Sequence, residues 1–69
     1  MDTEKIITEL IVKAHKAWLI TQNPKTAIPA ISIKGAEYSA YLDAAKMVAT
    51  AAGWTERELG DLVIEVTNR

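Results

Sequence analysis

Gly53-Trp54-Thr55-Glu56-Arg57-Glu58-Leu59 is the stretch whose reading decides the fold. Glycine tolerates left-handed backbone and so ends a helix at Gly53. Thr55 and Glu58 stand three apart, the spacing of a capping box in which each side chain satisfies the other residue's free backbone N–H. Trp54 and Leu59 bracket that box as a hydrophobic staple. One helix therefore stops at Gly53 and another starts at Glu56.

Toward the C-terminus, Leu59, Leu62, Val63 and Val66 recur at helical spacing and predict a helix over residues 56–67. Arg57 and Asp61, and Glu65 and Arg69, stand at i,i+4 and can pair. Gly60 costs about 1 kcal/mol inside a helix relative to alanine. Either it permits a close contact, or the helix breaks there and residues 62–67 become a strand against residues 30–34.

Toward the N-terminus, residues 36–52 predict a second helix with an unusual wheel. Ser39, Asp43, Lys46 and Thr50 share one polar lane. Ala36, Ala40, Ala44, Met47 and Ala51 form a small-residue face, and Tyr38, Tyr41, Leu42, Ala45, Val48, Ala49 and Ala52 a bulkier one. A helix apolar nearly all round is normally covered on most sides, which places this one at the centre. Before it, residues 23–35 carry Pro24 and Pro29 and read as an extended connector anchored by Ile28, Ile31 and Ile33. Residues 4–22 read as the first helix, with Ile6, Ile7, Leu10, Ile11, Ala14, Ala17 and Trp18 on one stripe. Asp2 or Thr3 caps it, and Asn23-Pro24 ends it.

The expected fold is all-α: one small three-helix domain over residues 1–69, with an extended, proline-containing connector between helices one and two. A chain of 69 residues buries only about 60% of its unfolded surface. With no cysteine, disulfides and thiolate metal sites are excluded. Homo-oligomerisation is then the expected completion of the core. The N-terminus lacks the pattern of a secretory signal, no window approaches the ~18 apolar residues of a membrane span, and a cytoplasmic location is expected. A formal net charge of −1 gives little attraction to nucleic acid or anionic lipid.

Few residues offer chemistry. His15 is the sole histidine, and its i±3 and i±4 neighbours Ile11, Val12, Trp18 and Leu19 are not metal ligands. Neither Ser32 nor Ser39 sits in a nucleophile elbow, and Gly35, Gly53 and Gly60 are too far apart for a phosphate loop. No catalytic, cofactor-binding or metal-binding residue is assigned, and no cofactor is expected. The expected function is binding: a small regulator, adaptor or inhibitor that self-associates and meets a protein partner. Trp18, Leu19, Tyr38, Tyr41 and Met47 are the candidate surface, since aromatics carry large contact area with few rotors.

Two other classes compete. The spacing across residues 46–66 resembles that of helix-turn-helix proteins, which would present Thr55, Arg57, Gly60 and Asp61 to DNA. Those positions are not basic, and phosphate neutralisation supplies most DNA affinity. A small-ligand binder would need a pocket between subunits, because one such chain leaves little room for a pocket of its own.

Overall fold

The computed structural model describes residues 2–69 and contains three helices, α1 (Thr3–Gln22), α2 (Ile28–Ala51) and α3 (Glu56–Thr67). No strand occurs among the described residues. The all-α, three-helix reading holds, and the strand alternative for residues 62–67 and 30–34 does not.

The caps are those the sequence specifies. The Asp2 carboxylate accepts from the Lys5 N–H at the start of α1. At the end of α2 the Trp54 N–H donates to the Ala49 carbonyl (2.9 Å) and the Gly53 N–H to that of Thr50 (3.1 Å). This is a Schellman turn, and it holds Gly53 at φ +83°, where a Cβ is strained. The capping box follows: the Glu58 N–H donates to Thr55 Oγ1 (3.2 Å) and the Thr55 N–H to Glu58 Oε1 (3.0 Å).

The Thr55 backbone N–H that donates to the Glu58 carboxylate, and after it the Thr55 hydroxyl, lower the Glu58 pKa. A carboxylate with a lowered folded-state pKa stabilises above its unfolded value and loses that contribution as pH falls through the folded one. Acid titration of stability should therefore show a smaller decline in Glu58→Gln than in the parent over that carboxylate range. Chemical denaturation at stepped pH reads this; identical slopes refute it.

The connector is shorter than expected, and this corrects the boundary at residue 36. Only residues 23–27 lie between α1 and α2. Asn23 opens the turn: its side chain accepts from the Lys25 N–H (3.0 Å) and its carbonyl from the Thr26 N–H (3.0 Å). Pro24 follows at the position where its fixed φ is preformed for a turn. Pro29 does not prevent a helix here, because it occupies the first turn of α2, where backbone N–H groups have no intrahelical acceptor. Nor do the isoleucines anchor an extended segment. Ile31 is half-buried, whereas Ile28 and Ile33 are 82% and 61% exposed.

The central helix is also different: α1, not α2, contacts both other helices strongly. Ile7, Ile11, Ala14 and Ala17 of α1 are buried. Ala45 and Ala49 are the buried residues of α2, and Leu62 and Val66 those of α3. Ile7, Ile11, Ala45, Ala49, Leu62 and Val66 make one core cluster, flanked by Trp54 and Leu59. Alanines from α2 let its backbone approach the branched residues of α1.

Gly60 lies inside α3 and neither breaks it nor makes a close contact, since a Cβ there would meet nothing within 4 Å. Gly60→Ala should raise stability by about 1 kcal/mol, through helix propensity and lost unfolded-state freedom. A thermal or urea melt measures it, and an unchanged midpoint would refute the open-site reading. Of the two expected ion pairs, Glu65–Arg69 forms (3.3 Å), while Arg57–Asp61 does not; Lys34–Glu37 (2.9 Å) joins it.

Candidate functional site

The site follows from unequal helix lengths. The 12 residues of α3 span about 18 Å. The molecule is 39 Å long, set by the α1–α2 hairpin. α3 therefore covers the half of the hairpin nearest the α1 N-terminus and leaves the other half with two helices.

An apolar groove opens where α3 ends. Its walls are Ile11, Ala14, His15 and Trp18 of α1, Tyr38 and Leu42 of α2, and Val63 and Thr67 of α3. The volume is about 230 Å³. Ile11 and Ala14 are buried core residues, so the groove floor continues the core row of α1. Trp18, one turn beyond Ala14 on that row, is 40% exposed at the end of the groove, where the last turn of α3 stops. The His15 and Trp18 rings stack, with centroids 5.9 Å apart and planes 15° from parallel. Leu19, one turn past His15, is 50% exposed.

The five expected surface residues do not form one surface. Trp18 and Tyr38 share the groove, and Leu19 extends it along α1 by helical register. Tyr41 lies on the opposite side of the α1–α2 seam with Lys13, Lys16, Ile20, Lys34 and Glu37. There the Lys13 ammonium sits 5.9 Å from the centre of the Tyr41 ring, within cation–π range. Met47, 72% exposed, projects from the outer face of α2. That face carries the alanine stripe, of which Ala36, Ala40 and Ala51 are exposed.

His15, Leu42 and Thr67 belong to the groove although sequence reasoning did not place them together. Their only sequence signal is the seven- and four-residue spacing that aligns Ile11, His15 and Trp18 on α1 and Tyr38 and Leu42 on α2. Nothing in the sequence says that α3 stops short of them.

The positions expected to face DNA lie at the cap and in the first half of α3. Thr55 has its side chain committed to the cap. Arg57 and Asp61 are exposed, and Gly60 is half-buried. Glu58, Asp61 and Glu65 of α3 line a shallow depression with Glu4 of α1. Four carboxylates together repel phosphate. α3 also leans on α1 far more than on α2, so the α2–α3 corner is not the tightly locked pair a helix-turn-helix uses.

Among the described residues no three His, Cys, Asp or Glu side chains gather into a metal-holding group, and no helix is long and apolar enough to cross a membrane. The Thr67 hydroxyl at the groove edge is committed to the Val63 carbonyl (2.9 Å). Tyr38, His15 and the indole N–H of Trp18 are the remaining polar groups in the groove lining, and no carboxylate stands there to orient any of them. No family model, curated protein or solved structure matches the chain.

Proposed function

We propose that this chain is a non-catalytic interaction module, a small regulator, adaptor or inhibitor, that binds a macromolecule through the open half of the α1–α2 hairpin. The observation that carries this reading is the groove floor. A row of core residues runs out from under α3 and ends on the exposed ring of Trp18. Trp and Tyr on an apolar, uncharged patch are the residue types that anchor protein interfaces. Groups for acid–base or nucleophilic work need an orienting partner, and the groove supplies none to His15.

The test uses two immobilised baits, the parent chain and Trp18→Glu, both checked for helix content. A protein retained by the parent and lost by the variant supports the reading. Retention of the same partners by both baits overturns the role of the groove.

A further inference from the structure

Resting on that reading, we infer that the occupant of the groove is a second copy of this chain, docked open half to open half about a two-fold axis. Three observations converge on this. The first is area. Compact monomers of 7.6 kDa expose about 4300 Å² of surface, by the scaling of folded chains. This chain exposes 5001 Å². The excess, about 700 Å², is close to the ~800 Å² that each partner contributes to a standard interface.

The second is shape. α3 ends at the groove, with Val63 and Thr67 in its wall, and Trp18, Leu19, Ile20 and Ile28 toward the hairpin turn are exposed. In a staggered two-fold arrangement each open half lies on the other. The hairpin of one copy then takes the place of the missing third helix in the other, and α3 of each copy abuts the tip of its partner's hairpin. Around Trp18, Tyr38 and Leu42 this adds the hairpin of one copy to the α1, α2 and α3 walls of the other.

The third is charge. A patch that meets its own image must be neutral or carry paired opposite charges, since like charges would face across the axis. The groove lining contains no Asp, Glu, Lys or Arg. The other apolar surface, the outer face of α2 with Ile33 and Met47, is the convex side of a single helix and has no concave floor.

Sedimentation equilibrium on the parent, Trp18→Glu and Met47→Glu tests the inference, with circular dichroism checking that helices persist. The expected pattern is a doubled mass for the parent and Met47→Glu, and a single mass for Trp18→Glu at the same concentration. Any other pattern overturns it, including a monomeric parent at high micromolar concentration or a dimer broken only by Met47→Glu.

A second reading does not depend on the glutamate variant folding. In Trp54→Phe, Trp18 is the sole indole, and its emission should move to shorter wavelength as concentration rises through the dimerisation range. Constant emission while the mass doubles refutes the placement. A monomeric parent that still retains a Trp18-dependent partner sinks the second copy and leaves the interaction module standing. A dimer indifferent to Trp18 sinks the use of this groove for either purpose.

Discussion

Replacing Ile11 by alanine should cost about 2 to 5 kcal/mol, the range for emptying a buried aliphatic site. Ile11 is 1% exposed and belongs to both the core cluster and the floor of the groove. A domain of this size holds about 3 to 10 kcal/mol in total, at the usual stability per residue. The variant should therefore stand near or past its unfolding midpoint without denaturant. Ile11→Val removes one methylene and should cost only about 0.5 to 1.5 kcal/mol. Urea unfolding followed by circular dichroism measures both. If the alanine variant loses no more than the valine one, the core is not centred on α1.

Leu62→Ala should cost a similar amount, about 2 to 5 kcal/mol, but with a different distribution along the chain. Leu62 and Val66 are the buried residues of α3, and they dock on α1 far more than on α2. The hairpin has its own seam, in which Ala45 and Ala49 of α2 meet Ile7 and Ile11 of α1. Native-state hydrogen exchange should show α3 amides losing more protection than those of α1 and α2, because a small docked element can open by itself. Equal loss across all three helices would show a single cooperative unit and defeat this picture.

The helix ends were legible because their causes are local. Thr55 and Glu58 find each other within one turn whatever the rest of the chain does, and the Gly53 turn is closed by bonds to Ala49 and Thr50. The connector was misjudged at a point where local rules conflict. Pro29 forbids the interior of a helix and suits its first turn. Which applies depends on whether residues after it continue a helix, and here they do, with Ile31 half-buried and Tyr38 and Leu42 in the groove wall.

Trp18 shows the same limit from the other side. Its spacing on α1 matches that of Ile7, Ile11 and Ala14, and periodicity alone assigns it to the core. Its exposure follows from the length of α3, which ends at Thr67. Of the candidate surface residues, Trp18 and Tyr38 line one groove, while Tyr41 lies in another depression and Met47 on the outer face of α2. On an ideal helix about 60° of rotation separates Tyr41 from Tyr38 and about 180° separates Met47 from it, and α2 is apolar in too many directions for pattern to say which one points inward.

By itself, then, the stretch from Gly53 to Leu59 determined where α2 stops and α3 begins, because hydrogen bonds within one turn need no distant partner. Composition further determined that the chain is helical and without cysteine chemistry. Tertiary structure alone decided that α1 is the central helix, that α3 covers only half of the hairpin, and that a groove opens beside Trp18. Those outcomes depend on which apolar faces exclude water together. The hydrophobic effect is non-directional and rewards total buried area, so a helix with several apolar faces carries no local instruction for choosing among them.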